Sequence, residues 1–297
     1  MKSGKKLIIQ IIMICMAIFF FSACKNSDIE ALCDAIESGD TEKAIKLAEN
    51  IEDYDQYVMD SMLIDPVSIL SQGGGTDTRT PLIVAAKEGN YEVMEYLLEN
   101  GANPNFGKKA ATYPLNSYCD YAAGDEQDGV KLLLSYGADP NLTESAHPIF
   151  YLIGKMYVLK KNEEGIITEI IDEKEKKQYE MLKQQVLQLL EAESIVLEES
   201  LNKKERYYSN VLEDFVRLQE TETVEALLVE GKLTGCINVQ NVKGYTPLMY
   251  AAETGQLEMS RLLLEYGAKP TYENDNHLTA YDLAVNNGYE DIALLFQ

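Results

Sequence analysis

The sequence predicts an all-α repeat solenoid, and three observations lead there. The stretches "TPLIVAAKEGNYEVMEYLLENGANPN" from Thr80 and "TPLMYAAETGQLEMSRLLLEYGAKP" from Thr246 share a Thr-Pro-Leu start, paired alanines, a turn glycine, a leucine run and a closing Gly-Ala. Pro81 and Pro114 lie 33 residues apart, and so do Thr246 and Thr279. Each copy carries two short apolar stripes that a lone helix pair could not bury, so the copies must stack on one another.

Within the copy at Thr246, the threonine hydroxyl can accept from a first-turn N–H, and Pro247 needs no helical donor at the first position. Leu248, Ala251 and Ala252 then share one face of a short helix that Gly255 ends. Leu257, Met259, Leu262, Leu263 and Leu264 form the stripe of a second helix, closed by Gly267 before the turn-forming residues around Pro270. The unit is helix, turn, helix, loop.

Further copies begin at Tyr113 and Leu278, a degenerate one runs from Val211, and "ALCDAIESGDTEKAIKLAEN" from Ala31 reads as a polar-faced first repeat with Gly39 at its turn. Thr80 and Thr246 are 166 residues apart, more than four periods of 33 can fill, so an insertion sits mid-array, around 154–183. It is either a lengthened helix pair or a small hairpin around Asn162 to Gly165. The expectation is an array of about seven helix pairs with short hairpin fingers over residues 28–297.

On these residues the chain resembles the ankyrin-repeat family, whose pattern is Gly-x-Thr-Pro-Leu-His, Ala-Ala, Gly, a leucine run and Gly-Ala-Asp-x-Asn. The histidine of that pattern is Ile83 in one copy and Met249 in another, so the inter-repeat bonds that it makes in the family are expected to be missing. The resemblance implies a protein-binding module that uses its fingers and the exposed face of its first helices. Carried over by position, the partner-binding residues are Arg79, Lys87 and Glu88 in the copy at Thr80, and Tyr245, Glu253 and Thr254 in the copy at Thr246. Tyr245 leads this set, because an exposed tyrosine supplies large contact area at low entropy cost. For any single one of these residues, ordinary surface decoration is the plainer reading.

With 297 residues and 46% hydrophobic composition, the chain can bury a sizeable core. Its formal net charge is −23, from 26 basic and 49 acidic residues. Such a surface repels phosphate backbones and anionic headgroups, which argues against nucleic acid and for a basic protein partner. The same acids would also serve simply to keep an array soluble.

The N-terminal "MKSGKKLIIQIIMICMAIFFFSACKNSD" has three lysines, an apolar run from Leu7 to Phe21 and small residues before Cys24. Phe21, Ser22, Ala23 and Cys24 resemble the bacterial lipoprotein signal, with Phe21 in place of the usual leucine. The resemblance implies a signal peptide over 1–23, lipid on Cys24, a tether over 24–27 and residence at a bacterial membrane in the cell envelope. An uncleaved anchor is the competing reading, but 15 apolar-rich residues fall short of the roughly 20 that a span needs. Cys33, Cys119 and Cys236 are odd in number and widely and irregularly spaced, which implies no disulfide framework, and the first two read as small buried hydrophobes.

Residues for chemistry are scarce. His147 and His277 are the only histidines, placed at a helix start and in a turn, and no CxxC or HExxH spacing makes a metal site. "GGGTDT" from Gly73 lacks the Gly-Lys-Ser/Thr of a phosphate loop and reads as a finger, while "GDEQDG" from Gly124 lacks the ligand spacing of a calcium loop. The sequence therefore predicts a non-enzymatic binding protein with no cofactor and no small-molecule substrate. The alternative is an envelope enzyme or metal-dependent factor whose site lies in the insertion.

Overall fold

The computed structural model describes residues 27–58, 79–107, 113–124, 127–142, 147–162, 166–192 and 211–297. The leader with Cys24 and the "GGGTDT" run lie outside the described residues. Among those described, the architecture is all-α, with one isolated antiparallel bridge, Lys161 to Ile167. Seven helix pairs follow in order among the described residues. They are 27–37 with Thr41–Ala48, Pro81–Glu88 with Tyr91–Glu99, and Pro114–Ser117 with Gly129–Ser135. Next come Pro148–Lys160 with Glu173–Glu191, Val211–Arg217 with Thr221–Val229, Pro247–Glu253 with Leu257–Glu265, and Ala280–Asn286 with Glu290–Ala293.

The caps explain the boundaries. The hydroxyls of Thr80, Thr246 and Thr279 accept from the N–H of Ile83, Met249 and Asp282, satisfying donors that a helix start leaves open. Asp282 answers by accepting from the Thr279 N–H at 2.9 Å. Three of the second helices repeat the device with Asp40, Asn90 and Asp128, which accept from Lys43, Val93 and Lys131. The turn before each second helix needs a left-handed residue, supplied by Gly39, Gly89, Gly255 and Gly288. In the degenerate copy that position is Gln219, held at φ 60°.

The chain divides into two compact units, 1–152 with 184–194, and 153–183 with 195–297. The first unit's core is built from Leu32, Ile36, Val93, Met94, Leu97, Leu115 and Leu133, each 1% exposed or less. Cys33 and Cys119 are fully buried there, as the sequence predicts. The copy at Tyr113 departs from the pattern, because its first helix passes after Ser117 into a π turn over Tyr118–Ala122. Tyr118 is buried against Gly129, where any Cβ would clash with its ring, and its hydroxyl donates to Gln127 O at 2.7 Å.

In the second unit, Leu212, Phe215, Val216, Leu248, Ala251, Ala252, Leu263, Ala284 and Ile292 are fully buried. The insertion contains a lengthened helix pair, 13 and 19 residues, with one bridge from Lys161 to Ile167, while residues 163–165 of the alternative hairpin lie outside the described residues. Asn162 N–H donates to Ile166 O at 3.0 Å and Thr168 N–H to Lys160 O at 2.8 Å.

The insertion is fastened to the next repeat by one carboxylate. Glu220, 8% exposed, accepts from Tyr179 Oη at 2.6 Å, Lys160 Nζ at 2.8 Å, Thr223 Oγ1 at 3.2 Å and Lys183 Nζ at 3.3 Å. Burial alone would raise its pKa, but the bonds from Lys160 and Tyr179 and the charges of both lysines hold it below the ordinary carboxylate value. Lys160 also donates to Leu218 O at 2.7 Å, taking up an open carbonyl beyond the helix Val211–Arg217.

Candidate functional site

The residues singled out from the sequence fall in both units. In the first, Arg79 does not stand free of stacking as a finger residue was expected to. Its guanidinium reaches back to Glu37 at 3.3 Å and Asp34 at 3.6 Å on the preceding first helix. Lys87 is exposed and lies 5.1 Å from the ring centroid of Tyr121, itself 56% exposed, while Glu88 is exposed beside it.

In the second unit, Tyr245 and Glu253 come together. Tyr245 is half-buried rather than exposed, which corrects the sequence expectation: its hydroxyl donates to Glu253 Oε1 at 3.0 Å and its ring packs 4.7 Å from that of Tyr250. Burial and the bond to Glu253 push its phenol up to about 12. Thr254 is exposed, and its hydroxyl donates to Tyr250 O at 2.7 Å.

Tyr250 leads to residues that the sequence did not single out. The Arg217 guanidinium carbon lies 5.1 Å from the Tyr250 centroid and 5.5 Å from that of Tyr157. Lys161 Nζ sits 5.4 Å from Tyr157 as well. Tyr157, Arg217 and Tyr250 belong to three successive first helices, Pro148–Lys160, Val211–Arg217 and Pro247–Glu253. The resulting row, Tyr157, Arg217, Tyr250, Tyr245, combines the side chains that dominate protein interfaces: rigid aromatics and a stacked arginine.

The row rests on a buried polar joint. Glu213 is the third residue of its helix, the place held by Met249 and Ile83 in the regular copies. Its carboxyl is 0% exposed and accepts from Asn241 Nδ2 at 3.0 Å, and Asn241 also donates to the Tyr250 hydroxyl at 3.1 Å. Thus one joint regains an inter-repeat bond that the missing histidine was expected to forfeit. At Met249 the sulfur instead accepts weakly from Thr246 N–H at 3.4 Å. Burial drives the Glu213 pKa up to about 8, against the bond from Asn241. Tyr157 donates to Asp214 Oδ1 at 3.2 Å, and burial followed by that carboxylate raises its phenol far above the ordinary value.

Asn241 organises the finger too. Its Oδ1 accepts from Lys243 N–H at 2.8 Å and Tyr245 N–H at 3.1 Å, closing the turn that presents Tyr245. Gly244 takes φ 75° in that turn, and a Cβ there would meet the backbone of Asn274 and Asp275 at 2.9 Å.

The alternative site in the insertion has a shallow depression lined by Leu159, Lys161, Thr168, Ile171, Asp172 and Glu175. Asp172 is committed to capping, since its Oδ1 accepts from the N–H groups of Lys174 and Glu175. Among the described residues there is no group of three or more His, Cys, Asp or Glu placed to hold a metal ion. His147 is buried at a helix start, where Nδ1 accepts from Ile149 N–H at 3.3 Å, and burial lowers its pKa to about 4. His277 is exposed in a turn beside Glu273.

Repeat length, caps and stacking meet their counterpart in known proteins. The family model described as "Ankyrin repeats (3 copies)" matches residues 32–144 and 213–297. The chain belongs to the ankyrin-repeat family. The gap between the two matched segments contains the insertion. The solved ankyrin repeat domain of Bcl-3 superposes with a TM-score of 0.55 at 17% identity, covering 90% of this chain and 98% of that one, a likeness of fold. "Ankyrin repeat, SAM and basic leucine zipper domain-containing protein 1" of Atelerix albiventris is 41% identical over 81 residues, 25% of this chain and 17% of that protein. The "NAD-capped RNA hydrolase NUDT12" of Homo sapiens is 41% identical over 71 residues, 22% of this chain and 15% of that protein. The chain thus spans less than a fifth of either relative's length. Ankyrin repeats are in general non-enzymatic modules for protein–protein interaction.

Proposed function

We propose that this chain is a non-enzymatic, protein-binding ankyrin-repeat lipoprotein of a bacterial cell envelope, tethered through lipid on Cys24. It engages its partner through the fingers and the first-helix face. The row of Tyr157, Arg217, Tyr250 and Tyr245 carries this reading, because stacked arginine and tyrosine on successive repeats offer preformed contact area at little entropic cost. The net charge of −23 favours a basic partner and supports the exclusion of nucleic acid. The basic, apolar leader and the small residues before Cys24 support the tether.

A photo-reactive phenylalanine placed at Tyr250, and separately at exposed Glu265 on a second helix, tests the face in cells. A partner cross-linked from 250 and not from 265 supports it; equal labelling, or labelling from 265 alone, overturns it. Cys24→Ser tests the tether by fractionation. Release from membranes, or accumulation of unprocessed precursor, is the expected result, and unchanged processing and membrane association would sink the lipoprotein reading.

A further inference from the structure

Arg217 is an unusual member of the row. Its side chain is 41% exposed, and among the described residues the one carboxyl oxygen within 4 Å of it is Glu213 Oε1, at 3.9 Å. Among the described residues none of its N–H groups donates a hydrogen bond, although a guanidinium carries five donors in a planar fork. Two tyrosine rings flank the guanidinium carbon, their centroids 5.1 and 5.5 Å away. The arrangement positions the fork while leaving its donors uncommitted.

We propose that Arg217 is the receptor for a single aspartate or glutamate side chain of the protein partner, with Tyr250 and Tyr245 receiving an apolar neighbour of that residue. The inference rests on the protein-binding reading and names the chemistry of its anchor. A planar carboxylate matches the fork with two parallel hydrogen bonds, and each is strengthened by charge. The neighbouring groups fit this choice. Glu213 is wholly buried and burial raises its pKa to about 8, which weakens its hold on the guanidinium at neutral pH, while the charge of Asp214 also acts on Arg217. Asp214 accepts from the Tyr157 hydroxyl at the other end of the stack, and Glu253 from that of Tyr245. These acids oppose a dianion such as a phosphate ester more strongly than a monoanion. A basic partner satisfies both scales: its net charge answers the field of the whole chain, and one acidic residue within its contact surface answers Arg217.

The full chain, solubilised in detergent, is panned against a library of displayed peptides joined to carrier at both ends, so that no terminal carboxylate is on offer. Retained peptides are expected to share one Asp or Glu beside an aromatic or aliphatic residue. In a terminally blocked synthetic copy, changing that acid to its amide should weaken binding to the wild-type chain by about tenfold or more. On Arg217→Gln the acid and amide copies should bind alike. Arg217→Lys keeps the charge without the fork and should lose at least half of the discrimination, which also serves if Arg217→Gln fails to fold. Retained peptides without a shared acid, undiminished discrimination in either variant, or a phosphoserine copy that binds better than the glutamate copy each overturn the carboxylate anchor while leaving the binding face in place. A library from which the wild-type chain retains nothing overturns the anchor and the binding reading together.

Discussion

Asn241 reaches from a finger to the buried carboxyl of Glu213 at 3.0 Å, and the same amide holds the Tyr250 hydroxyl at 3.1 Å. One neutral side chain thereby links the finger turn, the joint between two repeats and the aromatic row.

That joint titrates near neutrality. Glu213 has its pKa raised by burial from 4.5 to about 8, so between these values the folded chain binds more protons than the unfolded one and stability falls as pH rises. His147, lowered from 6.5 to about 4, acts oppositely: stability rises with pH between about 4 and 6.5. Between pH 6.5 and 8 the carboxyl acts alone of the two. Glu213→Gln should gain on wild type across that interval by about 1.5 kcal/mol, read from urea midpoints at each pH. Parallel pH profiles for the two chains would contradict the buried, protonated carboxyl.

Glu220 accepts four hydrogen bonds, two of them from lysines whose side chains are only 16% and 17% exposed. Glu220→Ala strands the charge of Lys160, while Lys183 keeps Glu180 at 2.9 Å, and should cost about 3 kcal/mol. A loss under about 1 kcal/mol in chemical denaturation would reduce the hub to a surface ion pair.

Gln219 occupies a turn position that other repeats give to glycine, at φ 60°. Gln219→Gly removes the left-handed strain and adds freedom to the unfolded chain, so a net gain of about 0.5–1 kcal/mol is expected. Gly244→Ala should do the reverse and cost more, because its Cβ would strike backbone that cannot turn aside. Thermal melts of the two variants should shift in opposite directions, and a shift of the same sign would refute the turn assignment.

Association kinetics separate field from contact. The acidic field should speed encounter with a basic partner at low salt and fade as the Debye length shrinks from about 30 Å to about 8 Å. Tyr250→Ala should act mainly on dissociation, by the factor expected for losing about 2 kcal/mol at a central aromatic. An on-rate indifferent to salt would make the acids a solubility device only.

The fold was legible wherever glycine and Thr-Pro punctuate the chain, since those residues are demanded by left-handed turns and helix starts. The pairing of Tyr245 with Glu253 was half legible: both were chosen as binding residues, but spacing alone does not show that one bonds the other. Arg217, Tyr157 and Glu213 were missed for physical reasons. Gln219 disguises the turn that would have set the register of Val211–Arg217, and without the register Glu213 could not be matched to Met249. The one available signal was an isolated arginine two residues before the turn, the position of Glu253 in the clear copy. The insertion kept its secret because a long helix pair and a bridged turn leave the same apolar, lysine-rich pattern.

The row of Tyr157, Arg217 and Tyr250 draws on three first helices, and a stack of repeats frays pair by pair. Fraying of any one of the three disassembles the row, so occupancy and local opening are linked. A ligand seated there acts as a splint, raising the opening free energy of all three helix pairs by the same mass-action amount while touching only a few side chains. Amide exchange would then slow together in segments that are far apart in sequence.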